Sequence, residues 1–199
     1  MLIRPPPYEL FFAPLAVSLK PDELERVQFA YIASKYGHKD QVRDDGGRYF
    51  DHPKAAAWIY IHELGGRDVR TIIDLLLHDL SEDQYLLSAY RLALNFGEVI
   101  ALDVRALTKL PKGKETTKEY LLRVIARGPA CVTAKIIDRL HNLRDCEGCT
   151  PEKRMRTIKE TQEYHLRLLI PALRAHGKHW AKYADVLEVK INEAIAAAS

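Results

Sequence analysis

The sequence predicts an all-α, single-domain protein, and three observations carry that reading. Apolar residues recur at helical spacing in almost every segment. No stretch of useful length alternates polar with apolar as a strand does, and no segment repeats another. A chain of 199 residues with 47% hydrophobic and 29% charged side chains suits one soluble domain with a sizeable core.

The elements follow in order. Pro21-Asp22-Glu23 opens a helix, with proline early and acids in the first turn. Leu24, Val27, Phe29, Ile32 and Tyr36 continue it, and Gly37 closes it. Residues 39–52 are polar with two glycines and read as a loop. Pro53 starts a second helix that Gly65-Gly66 stops after Leu64. Asp68 caps a third, which carries His78-Asp79. A fourth covers 98–110 on Val99, Leu102, Val104, Ala106 and Leu107, and Pro111-Lys112-Gly113-Lys114 breaks the chain after it. Helices at about 116–127, 130–144 and 151–175 come next, the last opened by Thr150-Pro151-Glu152 and kinked at Pro171. A final helix runs over about 179–197, and the simple run Ala194–Ala198 is its fraying end. The core is expected over about 21–176.

Charge and cysteine content narrow the class. A net charge of +3 permits an anionic substrate but makes no coat for nucleic acid, because the lysines and arginines are dispersed. Three cysteines suggest a reducing compartment without a disulfide framework. Cys146 and Cys149 form a lone CxxC, weak as a zinc signal. Pro5-Pro6-Pro7, Glu9 and Pro14 interrupt the N-terminal apolar stretch, unlike a secretion signal. No apolar run approaches the roughly 20 residues of a membrane span. The expected location is the cytoplasm. The apolar ends at 8–19 and 180–197 could pack against a second copy.

The most informative stretch is His78-Asp79-Leu80-Ser81-Glu82-Asp83. It follows the apolar run Thr71-Ile72-Ile73-Asp74-Leu75-Leu76-Leu77. Charge set against a core is costly unless paired or metal-bound. On a continuing helix, Glu82 lies one turn beyond His78, and Asp83 one turn beyond Asp79. The group reads as a metal-dependent hydrolase site. The bland alternative is a polar pair at a helix end. Alone, His52 before Pro53 reads as a capping loop histidine, Asp138 as the partner of a nearby cation, and Arg43, Lys112 and Asn142 as surface residues.

Four blocks lie in a specific order. His38, Gln41, Arg43, Gly46, Tyr49 and His52-Pro53 form the first. Leu76-Leu77-His78-Asp79 with Glu82-Asp83 forms the second. Phe96-Gly97 followed by Thr108-Lys109 forms the third, and Lys135, Asp138, Arg139, Leu140, Asn142 and Leu143 the fourth. Over roughly 24–170 this pattern resembles the hydrolase domain of the Rel/SpoT alarmone enzymes, within the wider HD superfamily. In size the chain is similar to the stand-alone small alarmone hydrolases. The departures are Asp40, Asp44, Arg48 and Gln84. Asp44 and Arg48 flank the expected base pocket.

The resemblance implies a helical HD-domain bundle and a set of roles. His52, His78, Asp79 and Asp138 would bind one divalent metal, and two imidazoles with two carboxylates suit manganese, iron, cobalt or zinc. The family points to manganese. Glu82 and Asp83 would orient and deprotonate the attacking water. Arg43 would stack on the base, Asn142 would bond near the nucleoside, and Lys112 would meet phosphate. The implied reaction is hydrolysis of the 3′-pyrophosphate of (p)ppGpp or (p)ppApp, releasing pyrophosphate and the nucleoside 5′-di- or triphosphate. The alternatives are a phosphatase on another nucleotide, such as the 2′-phosphate of NADPH, and a binding protein that senses an alarmone without cleaving it. His38 is read as structural. His62, His141, His165, His176 and His179 are read as surface or core residues.

Overall fold

A computed structural model describes residues 5–43, 46–80 and 88–198. They are helical, and the one β feature among them is an isolated bridge between Val42 and Arg48. The backbone divides into two compact units, Ile3–Thr108 and Lys109–Ser199.

In the first unit, α1 (Tyr8–Ala16) packs on α2 (Pro21–Gly37). The Glu23 carboxylate accepts the Lys20 backbone N–H at 3.0 Å, so the acidic first turn caps its own helix. α3 (Asp51–Trp58) runs into a π-helical turn, Ile59–Glu63, and begins two residues before Pro53. α4 (Val69–Leu77) is the centre of the unit, packed by α2, α3 and α6 (Glu98–Leu107). The Asp68 carboxylate caps it by accepting the Thr71 N–H at 2.8 Å. Every residue from Thr71 to Leu77 is buried, the polar Thr71 and Asp74 included. α5 (Ala89–Phe96) turns directly into α6 at Gly97, whose φ of +88° reverses the chain in one residue.

Three sequence expectations need correction here. α4 stops at Leu77, so His78 and Asp79 sit in the turn just beyond it rather than on the helix. The fourth helix ends at Leu107, not 110. On α2 the buried stripe is Val27, Ala30, Tyr31 and Ser34, while Phe29, Ile32 and Tyr36 are exposed. Small Ala30 and Ser34 permit close approach of α4, which the larger apolar side chains would prevent.

In the second unit, α7 (Thr117–Ile125) starts at a reciprocal cap between Thr116 and Glu119. α8 (Pro129–Arg144) is its centre and contacts α7, α9 (Pro151–Glu160), α10 (Ile170–Ala175) and α11 (Lys178–Ala198). Between α9 and α10 the helix widens to π geometry over Thr161–Leu169. Pro171 lacks an N–H, and its ring would collide with the carbonyl four residues back. The wider turn before it relieves both, so the expected kink appears as a π segment.

Candidate functional site

Within the first unit, His52 lies in the opening turn of α3 and His78 directly after α4. Both are almost fully buried. The His78 Nδ1–H donates to the Leu75 carbonyl at 2.8 Å. A carbonyl can only accept, so Nδ1 carries the hydrogen, and in the neutral imidazole the lone pair is on Nε2. That Nε2 stands 3.2 Å from Nε2 of His52. The Asp79 carboxylate closes the group, with Oδ2 3.4 Å from His52 Nε2 and Oδ1 3.4 Å from His78 Nε2. Two ligands on one ion at metal–nitrogen distances of about 2.0–2.1 Å lie about 3–3.5 Å apart. The N/O donor set and its spacing therefore fit a divalent cation.

A second layer holds this group. The Tyr49 hydroxyl donates to Asp79 Oδ2 at 3.1 Å. The Tyr49 ring stacks on His38, with centroids 4.8 Å apart and planes 25° apart. His38 in turn donates from Nδ1 to Gln41 Oε1 at 2.6 Å. Burial lowers the His38 pKa, while the Gln41 bond opposes that shift. Gln41, His38 and Tyr49 thus form a chain of contacts ending on Asp79. Such partners fix the carboxylate's orientation. The sequence reading left His38 structural and gave Tyr49 no role. Their place in the first block was the signal available.

Arg43 lies in the same loop, its guanidinium 5.9 Å from the Tyr49 ring centroid. Arg48, one of the departures from the family pattern, forms a bidentate pair with Asp51 at 3.0 and 3.3 Å. Glu82 and Asp83 lie outside the described residues.

Within the second unit, Asp138 is buried on α8 between two donors of its own helix. Lys135 Nζ donates to Oδ2 and Asn142 Nδ2 to Oδ1, each at 2.6 Å. Burial alone would push the Lys135 ammonium down. The Asp138 carboxylate beside it more than reverses that, and Lys135 stays protonated. Its Nζ also sits 5.2 Å from the Tyr120 ring centroid. The sequence reading gave Lys135 no role, and the i,i+3 spacing to Asp138 was the available clue.

Lys112 is exposed and lines a pocket of about 330 Å³ together with Lys109, Glu115, Thr116 and Tyr120. Burial lowers the Lys109 ammonium, with Lys135 acting in the same direction. Farther along, His165 is driven down to about 2 by burial and by Arg139, whose Nε donates to His165 Nε2 at 3.1 Å. His165 is a neutral core residue, as the sequence suggested.

Comparison with known proteins follows the same lines. The family model described as HD domain matches residues 30–168. A probable GTP pyrophosphokinase of Mycobacterium leprae is 36% identical over 147 residues, covering 70% of this chain and 18% of that protein. A guanosine-3′,5′-bis(diphosphate) 3′-pyrophosphohydrolase of Aquifex aeolicus is 34% identical over 170 residues, covering 81% and 24%. This chain thus spans about a fifth to a quarter of the length of these relatives. A solved structure of a metazoan SpoT orthologue that hydrolyses ppGpp superposes with a TM-score of 0.64 at 23% identity, over 90% of this chain and 96% of that one. That likeness bears on the fold, which is all-α in both arrangement and content. The family match covers well over half of the sequence, and this chain belongs to the HD domain family.

Proposed function

We propose that this protein hydrolyses the 3′-pyrophosphate of a hyperphosphorylated guanosine nucleotide, releasing pyrophosphate and the nucleoside 5′-di- or triphosphate. The observation that carries the reading is the facing pair of imidazole Nε2 atoms with the Asp79 carboxylate 3.4 Å from each. The relatives named for ppGpp chemistry support the substrate class. The family match crosses the boundary between the two compact units, which supports reading residues 1–199 as one HD-type domain.

His52, His78 and Asp79 are three of the proposed ligands, and Asp138 is the fourth. The proposed ion is manganese. A divalent cation in such a set lowers the pKa of water and polarises a phosphoryl oxygen. Glu82 and Asp83 supply the carboxylates that orient the attacking water and take its proton. Arg43 offers a planar cation to the base and Lys112 a point charge to phosphate. Asn142 bonds Asp138 through its amide N–H and keeps its amide oxygen for the nucleoside.

The test is pyrophosphate release from ppGpp and ppApp side by side, with manganese and with chelator. The reading expects manganese-dependent release from ppGpp, lost on chelation and in the double variant Glu82→Gln/Asp83→Asn. Release from neither nucleotide, or from ppApp alone, would overturn it.

A further inference from the structure

The Cys146–Cys149 pair belongs to no part of the site above. We propose that it is a redox-active dithiol which closes to an intramolecular disulfide on exchange with a small disulfide such as oxidised glutathione. The pair lies in the second unit, in the turn joining α8 to α9.

The geometry comes from the turn itself. Cys146–Gly148 form one 3₁₀ turn, and the Cys149 N–H donates to the Cys146 carbonyl at 3.0 Å. In 3₁₀ geometry, residues i and i+3 eclipse, and three rises of about 2.0 Å set their Cα atoms about 6 Å apart. Disulfides bridge Cα separations of about 4.4–6.8 Å. The backbone thus already presents both thiols on one face, at a bridging distance. A zinc site would need further ligands, and the metal-competent cluster found among the described residues does not include either cysteine.

The environments of the two thiols differ in a way that assigns their roles. Cys146 is 3% exposed and Cys149 half-buried. Cys149 also immediately precedes Thr150, the N-cap of α9, whose Oγ1 accepts the Lys153 N–H. Burial, then the hydrogen bond with Cys149, push the Cys146 thiol up. Cys149 is therefore the attacking sulfur and Cys146 the resolving one. The Cys149 thiolate attacks one sulfur of the small disulfide and expels one thiolate. Cys146, on losing its proton, attacks the Cys149 sulfur and expels the second. Two protein thiols are oxidised to one disulfide, and one small disulfide is reduced to two thiols. The closed ring spans only four residues, so it removes little chain entropy from the unfolded state, and the bond is of the readily reversed kind.

The test uses the full chain, fully reduced and then equilibrated in graded ratios of oxidised to reduced glutathione. The reaction is quenched with acid, the free thiols are alkylated in denaturant, and the intact mass is read. Three alkyl groups are expected at the reducing end. One is expected at the oxidising end, mapped to the fully buried Cys131. Cys146→Ser is expected to trap glutathione on Cys149, because the resolving sulfur is gone. Three alkyl groups at every ratio would overturn the proposal. So would a glutathione adduct persisting on Cys149 of the unsubstituted chain, or a disulfide joining two chains. The unsubstituted chain decides the matter even if the variant does not fold.

Discussion

Asp74 and Asp138 are both buried carboxylates, one at the centre of each compact unit, and they meet the cost of burial in opposite ways. Asp74 sits in the middle of α4 with apolar neighbours on both sides in sequence. Burial first, and then the carboxylate of Asp103, raise its pKa well above the ordinary 3.8, so it gives up its charge. Asp103 takes the available cation in a bidentate bond with Arg70 at 2.7 and 3.0 Å. Asp138 instead keeps its charge against Lys135 one turn away. Each carboxylate has a cation one turn away on its own helix, and the difference is that Arg70 is held by Asp103 whereas Lys135 bonds Asp138 itself. It places a neutral carboxylic acid four residues before His78, and a charged carboxylate in the last block of the family pattern.

The largest expected effect comes from breaking the Asp138 arrangement. Lys135→Met strands a buried carboxylate, which costs about 3–5 kcal/mol in such pairs. Urea denaturation is expected to show that loss. A midpoint within error of the parent would show that the pair contributes nothing and that Asp138 is solvated. Next in size is the Tyr49→Phe variant, which removes the hydroxyl that orients Asp79 while keeping the ring stacked on His38. Partners of this type typically change metal affinity by about 10–100-fold. Calorimetric titration with manganese is expected to show weakening in that range with an unchanged melt. Equal affinity would mean that Asp79 needs no orientation from Tyr49.

The smallest effect belongs to Asp74, and its sign follows from its raised pKa. The folded state holds a proton that the unfolded chain releases above the ordinary value of 3.8. Its contribution is therefore fully present below that value and lost as pH rises through the folded pKa. Asp74→Asn keeps the shape and removes the proton. Its melting temperature is expected to gain on the parent progressively as pH rises. Parallel curves across the pH range would show that folding does not shift the Asp74 pKa.

Much of the helix layout was legible because its signals are local. Asp68 does cap α4 and Thr150 caps α9, and α7 and α8 begin at Thr117 and Pro129, one residue from the expected starts. α1 and α5 were not legible. Tyr8–Ala16 contains Pro14, and Ala89–Phe96 is a short helix that relies on Gly97 to end it. Neither carries a strong start signal. The identity of the metal-ligand candidates was legible through their residue types and order.

What the sequence by itself determined is therefore the fold class and most helix starts. These depend on backbone propensity and on neighbours within about four positions, where caps and periodicity act. Only the tertiary structure decided that α4 releases His78 and Asp79 into a turn, and that α2 buries Val27, Ala30, Tyr31 and Ser34 while Phe29, Ile32 and Tyr36 stay exposed. It alone joined Tyr49 to Asp79 and Arg70 to Asp103, pairs separated by 30 and 33 residues. Such pairs depend on which helices pack together and how deeply. Those two conditions also set whether a buried carboxylate loses its charge, as Asp74 does, or keeps it, as Asp138 does.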